Sequence, residues 1–276
     1  MKSAAFDYVA AKSVAEASAA LAREGNSAAI AGGQSLVPML NLRVALPHLL
    51  VDITRLEELK ETYLTPSHLR VGALTTHADF EDGIVPDPFS GLMRKVASGI
   101  SYRAVRNYGT IGGSVALADP AADWPVCLMA LAADVRITAR NGVRSQAIND
   151  FIKGQYATSL AKDEIILGFD IQHSNARMRW GAFKVVRKSG AFAISIAIVV
   201  EHGAGGPVSV ALGATGPRPH LLPRIAKHIS AGETSEDRLR SAIEKDLTIC
   251  MPDNDSYQTR LHTSTILRAV REMRSR

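Results

Sequence analysis

Two short stretches hold the residues best suited to gripping a charged ligand. In "AIAGGQSLVPMLNLR" (Ala29 to Arg43) an apolar run ending at Ala31 meets Gly32 and Gly33, then Gln34 and Ser35, then a helix-like segment headed by Leu36. "GTIGGSVALADPAADWP" (Gly109 to Pro125) repeats that order, with Gly112 and Gly113 between Thr110 and Ser114. Glycine reaches positive φ at little cost and has no Cβ to hold a ligand away. Successive backbone N–H groups in such a turn can converge on an anion, and a following helix N-terminus strengthens the effect. Gln34, Ser35, Thr110 and Ser114 add side-chain donors. Two such turns suit a pyrophosphate held from two sides, and so a dinucleotide. Taken singly, a Gly-Gly after a strand is also plain punctuation. Neither turn is a G-x-G-x-x-G fingerprint and no G-x-x-x-x-G-K-[ST] occurs, so neither a Rossmann NAD site nor a triphosphatase loop is supported.

Other chemistry is thinner. Cys127 and Cys250 stand far apart and outside any C-x-x-C, which argues against a disulfide framework and against a cluster held by about four thiolates. Cys127, inside "WPVCLMALAA", reads as a core thiol. The histidines show no H-x-x-x-H or H-E-x-x-H pairing, so metal binding is not expected, and His77 reads as a surface residue in a loop. The net charge is +5, but the basic residues are dispersed apart from "RMRW", "KVVRK" and "RAVREMRSR", and no zinc-finger, RNP or basic-zipper pattern accompanies them. A solvated basic surface is therefore preferred to a nucleic-acid groove. No signal-peptide core and no apolar run of membrane-spanning length is visible, so a cytoplasmic chain is expected.

The elements that must position these turns follow from pattern. "SVAEASAALAREG" predicts a helix, with Ser13 and Glu16 as a capping box and Gly25 as its stop. "SAAIAGG" and "HLLVDI" read as strands around a short helix in "SLVPMLNLR", where Pro38 is tolerated in the first turn. "LKETYLTPSHLRVGALTT" predicts a hairpin turning at Pro66-Ser67, and "ADVRITARNGVRSQAI" one turning at Asn141-Gly142. "DPFSGLMRKVASGI" and "PAADWPVCLMALAA" read as helices and "DEIILGFDIQ" as a strand. "RWGAFKVV", "FAISIAIVVE" and "PVSVALGATG" then predict an antiparallel sheet, followed by helices. The last of these places Leu261, Ile266, Leu267 and Val270 on one face. The larger boundary falls near Ser174.

At "AGGQSLVPMLNLR", "VRNYGTIGGS" and "ADPAADWP" the chain resembles the FAD-binding medium subunit of molybdenum hydroxylases, the carbon monoxide dehydrogenase and xanthine dehydrogenase group. The likeness continues through "DEIILGFDI", "FKVVRKSGAFAISIAIVV", "ALGATGPRP" and "DNDSYQTRLHTSTILRAVREM", in the family's order over nearly the whole chain. It implies an α+β chain with a PCMH-type FAD-binding fold: two α/β subdomains (about 1–55 and 56–174), then a C-terminal α+β subdomain (175–276) of antiparallel sheet and helices. It also implies a pyrophosphate on Ala31, Gly32, Gly33, Gln34, Ser35 and Leu36 and on Thr110, Gly112, Gly113 and Ser114. Asp123 matches a family aspartate that binds the cofactor, and Ile166 an apolar residue packed on it. Lys184 and Lys188 match basic positions nearby, and Phe192 a site where relatives carry tyrosine against the isoalloxazine. Three positions depart: Gln34 where some relatives have His, Ser114 where Asn or Asp is common, and Phe192 itself. From the residues alone, Asp119 and Asp123 also fit helix caps, a reading preferred for Asp119, and Phe192 reads as core in preference to a flavin contact.

The resemblance implies an electron-transfer subunit. It would take electrons from the [2Fe-2S] clusters of a small partner, fed by a large molybdopterin partner, and pass them to an external acceptor. The assembly would be a dimer of heterotrimers. No catalytic acid or base and no metal is expected on this chain. A stand-alone FAD-dependent oxidoreductase of the same flavin-binding superfamily is the alternative.

Overall fold

The computed structural model describes residues 2–23, 25–139, 142–173 and 177–276. The Asn141 turn position and the Ser174 boundary lie outside these residues.

The first unit runs β1 (Asp7–Ala10), α1 (Val14–Leu21), β2 (Ser27–Ile30), α2 (Leu36–Asn41) and β3 (Leu49–Asp52). Its sheet is parallel throughout, in the order β1-β3-β2. Ser13 caps α1, its hydroxyl accepting from the Glu16 N–H, while the Glu16 carboxylate takes the Lys12 N–H, one residue earlier than a reciprocal box requires. The helix ends at Leu21, a turn before Gly25, so Gly25 (φ +94°) shapes the following loop rather than the helix stop. Ala17, Ala20 and Leu21 pack on Val51 and Ile53. In parallel sheets ligands gather at the carboxyl ends of strands. The carboxyl end of β2 feeds directly into the first glycine turn.

The second unit contains β4 (Tyr63–Leu64), β5 (His68–Gly72), α3 (His77–Glu81), α4 (Leu92–Ser98), α5 (Arg103–Arg106), α6 (Ile111–Leu117) and α7 (Asp123–Ala130). It continues with β6 (Asp134–Ala139), β7 (Gly142–Ala147), α8 (Ile148–Phe151), β8 (Ile152–Gly154), β9 (Ala157–Thr158) and β10 (Ile165–Gln172). Five strands form one antiparallel sheet in the order β4-β5-β10-β6-β7. The expected helix in "DPFSGLMRKVASGI" begins only at Leu92, because Gly91 sits in the left-handed region (φ +84°) just before it. Helix α7 is buried on every side, Cys127 included, which explains its apolar sequence from Trp124 onward.

The remainder is an antiparallel sheet of β11 (Arg179–Val186), β12 (Ala193–Glu201), β13 (Val208–Gly213) and β14 (His220–Leu221), with α9 (Pro223–Ser230), α10 (Glu236–Cys250) and α11 (Ser256–Arg274) on one face. Strand β12 is apolar on both faces for a reason. Ile196, Ile198 and Val200 join the core around α7, while Ala197 and Val199 join the core under α9 to α11. The C-terminal sheet is thus sandwiched between the second unit and its own helices. Among the described residues no helix is long and apolar enough to cross a membrane.

Candidate functional site

The two glycine turns touch. A Cβ built on Gly32 would lie 1.8 Å from the Tyr108 carbonyl oxygen and 3.0 Å from the Gly109 nitrogen. Gly32 is therefore the residue that lets the first turn close on the second. Gly33 serves a different end: its φ of +69° turns the chain from β2 toward α2. Gln34 is exposed and folds back, its Nε2 donating to the Gly32 carbonyl at 3.0 Å. The Gly33 and Ser35 carbonyls accept the first helical N–H groups of α2. The N–H groups of Gly32, Gly33, Gln34 and Ser35 find no acceptor among the described residues. These four consecutive N–H groups, in partly exposed backbone with Ala31 and Leu36 beside them, are free to take an anion.

The second turn differs from expectation. Its N–H groups are spent on protein: Ile111 on Thr75 O, Gly112 on Ala73 O, Gly113 on Thr110 Oγ1 and Ser114 on Thr110 O, at 2.9–3.0 Å. Thr110, buried at 5% exposure, is the N-cap of α6, and its hydroxyl accepts from the Gly113 N–H while keeping its own proton as a donor. Gly112 is needed for packing, since a Cβ there would lie 2.6 Å from both Ala73 Cβ and Ala73 O. What this turn has left to donate is therefore hydroxyls, of buried Thr110 and half-buried Ser114, rather than a ladder of N–H groups.

Asp123 and Lys184 are brought together by the fold although 61 residues apart. The Lys184 Nζ donates to the Asp123 carboxylate at 2.9 Å and to the Gly99 carbonyl at 3.2 Å. Asp123 is buried in the first turn of α7, and burial raises its pKa against the opposing pull of Lys184. Ile166 is buried in β10 opposite Ile137, next to a bulge, within the core. Lys188 and Phe192 are exposed, Phe192 by 58%, so Phe192 is not a core residue. They belong to a turn that rests on Tyr102. Its hydroxyl donates to Ser189 O at 2.8 Å, and its ring lies so close to Gly190 (φ +77°) that a Cβ would meet it at 2.5 Å.

Besides the core reading of Phe192, two further expectations fail here. Asp119 is not the cap of α7; its carboxylate accepts from the Ala121 N–H within the preceding turn and from the Tyr156 hydroxyl. His77 is not on the surface. It is 5% exposed, and its Nδ1 accepts from Trp124 Nε1 at 3.0 Å. Burial, aided by the Arg106 charge, pushes its pKa down to about 4. The one signal pointing that way was Thr76 and Asp79, which form a capping box and place His77 at the start of α3.

Residues 4–174 match the family described as the FAD binding domain in molybdopterin dehydrogenase. The chain belongs to the FAD-binding medium subunits of the molybdenum hydroxylases. It is 32% identical to the glyceraldehyde dehydrogenase medium chain of Sulfolobus acidocaldarius over 253 residues, covering 91% of this chain and 90% of that one. It is 31% identical to the carbon monoxide dehydrogenase medium chain of Hydrogenophaga pseudoflava, covering 96% of each. The solved carbon monoxide dehydrogenase of that organism superposes with a TM-score of 0.93 at 30% identity, over 100% of this chain and 99% of that one. The medium subunit is thus an FAD-dependent oxidoreductase component of the α+β, PCMH-type fold, working in a multi-subunit enzyme.

The residues present fit the flavin nucleotide. An open run of four N–H donors, a set that can take a pyrophosphate, lies against the Thr110–Ser114 turn, and Gly32 is the point at which any side chain would part the two.

Proposed function

We propose that this medium subunit is the electron exit of its complex. It receives electrons from the [2Fe-2S] clusters of a small partner and delivers them to an external acceptor, while a large molybdopterin partner oxidises the substrate. The contact between the Gly32 and Tyr108–Gly109 backbones carries the reading, because it brings both nucleotide turns to one place. Ala31 to Leu36 hold the pyrophosphate through backbone N–H groups, and Thr110 and Ser114 through hydroxyls, with Gly112 and Gly113 letting α6 approach. Asp123, Lys184, Ile166 and Phe192 line the rest of the cofactor's course, Asp123 and Lys184 acting as a pair. When bound, FAD supplies the redox chemistry that links one-electron donors to the final acceptor; the protein supplies binding, orientation and electrostatics.

The division at about residue 174 separates the FAD-binding part from the C-terminal part in this reading, and the assembly is a cytoplasmic dimer of heterotrimers. Substrate choice lies on another chain. Relatives named for glyceraldehyde and for carbon monoxide are equally similar to this one, at 32% and 31% identity. The test is reconstitution. The isolated chain binds FAD but is not reduced by aldehydes, carbon monoxide or N-heteroaromatics until the partner subunits are added. Flavin reduction by such a substrate in the isolated chain would replace this reading with a stand-alone oxidoreductase, and failure to bind FAD would remove both.

A further inference from the structure

The motifs that carry the resemblance do not include His77, yet its ring stands between two parts of the proposed site. The His77 backbone N–H donates to Gly109 O at 2.9 Å and the Ile111 N–H to Thr75 O at 3.0 Å, joining Thr76 and Thr110 in an isolated antiparallel bridge. The imidazole lies against Gly109, where a Cβ would fall 2.8 Å from Nε2 and 2.9 Å from Cδ2. On its other side, Nδ1 accepts from Trp124 Nε1. Trp124 is fully buried, packs on Phe80 with ring centroids 4.5 Å apart, and directly follows Asp123 in α7. One side chain therefore touches both the segment carrying Thr110 and the helix start carrying Asp123.

The chemistry of the contact sets the ring's state. An indole N–H can only donate, so Nδ1 carries no proton and the neutral ring holds its proton on Nε2. An imidazolium would turn two donors against each other at a buried contact. Burial and Arg106 both act against that form. The same loop is held from outside by Arg106, which pairs with Glu81 at 2.8 Å and donates to the Ile100 and Ser101 carbonyls.

We infer that His77 is a positioning residue of the FAD site, fixing the Gly109–Ser114 turn against the amino end of α7 through its Trp124 hydrogen bond. The inference rests on the FAD reading above. The experiment titrates FAD into apoprotein and follows flavin fluorescence, with His77→Phe, His77→Asn and Trp124→Phe. Phenylalanine at 77 keeps a ring against Gly109 but offers the indole no acceptor. Asparagine offers a carbonyl oxygen near the Nδ1 position. His77→Phe and Trp124→Phe are each expected to weaken FAD binding about tenfold or more, with His77→Asn recovering to within about threefold of wild type. Phe variants that bind FAD like wild type, or an Asn variant as weak as the Phe one, would overturn the inference. Should the variants fold poorly, nitrogen-15 spectra of the wild type decide: an Nε2-protonated ring supports the inference and an Nδ1-protonated ring overturns it. Wild-type apoprotein that takes up no FAD at all would instead strike the earlier reading.

Discussion

Gly32→Ala is the sharpest test of how the two turns make one site. Judged by backbone angle alone, Gly33 looks indispensable, with φ at +69°, whereas the φ of Gly32 lies outside the left-handed region. The surroundings reverse that order. At Gly33 an added Cβ meets the exposed Val37 side chain at 3.1 Å, which can turn aside, so the cost is mostly the left-handed strain of an alanine, about 1 kcal/mol. At Gly32 the Cβ would stand 1.8 Å from Tyr108 O and 2.5 Å from its carbon, and these are backbone atoms. Ordinary contact requires the turns to part by about 1.5 Å, at the upper end of the roughly 1–3 kcal/mol that overpacking costs. That displacement falls between the N–H cradle and the hydroxyls of Thr110 and Ser114, so it is felt in ligand affinity more than in the core. Gly32→Ala is expected to weaken FAD binding about a hundredfold with the fold retained, and Gly33→Ala about five- to tenfold. Isothermal titration of the two apoproteins, with circular dichroism as the fold control, checks this. A Gly32→Ala protein that binds FAD nearly as well as wild type, or one that binds better than Gly33→Ala, refutes the two-walled site.

Three further outcomes follow from the same geometry. Lys184→Met leaves the buried Asp123 carboxylate without its cation and should cost about 3–5 kcal/mol near neutral pH in chemical denaturation. Because the Asp123 pKa is already raised in the folded state, that loss should shrink as the pH falls and the carboxyl takes up a proton. Gly112→Val drives a side chain into Ala73 backbone and should lower the melting temperature as well as FAD retention, unlike Gly32→Ala, which acts mainly on the ligand. The acid response should be steep. His77 and His262, both buried, have pKa values lowered to about 4 from 6.5, so their stabilisation is whole above 6.5 and lost as the pH falls toward 4. Each ring should account for about 2 kcal/mol of lost stability between pH 7 and pH 5. His262→Gln, at the ring whose Nδ1 meets the Ser195 hydroxyl at 2.8 Å, should flatten that dependence measurably in denaturation at the two pH values.

Local pattern made the conformational features of this chain legible and left its partnerships hidden, and the glycine turns show why. Two adjacent glycines announce freedom of the backbone, and both turns were readable on that ground. The same letters do not say where the N–H groups go. In the first turn they stay open. In the second they are taken by Ala73 and Thr75, some forty residues earlier, and by Thr110 itself. His77 was misread for the same reason: its burial depends on Trp124, 47 residues away, and on Gly109, and a single histidine after two threonines carries no mark of either. The Asp123–Lys184 pair spans 61 residues and is equally silent. Strand β1 escaped notice because Asp7 to Ala10 lack a buried alternating face and owe their extended form to parallel pairing with β3. By contrast β12 was plain, since a strand buried on both faces must be almost wholly apolar, and Ser195 is tolerated inside it through its contact with His262. The residues alone suggested that the two turns act together on a dinucleotide, and what family resemblance added was the identity of that dinucleotide. The backbone contact at Gly32 gives that expectation a physical constraint, because two distant turns can close on each other this tightly only where the meeting residue has no side chain.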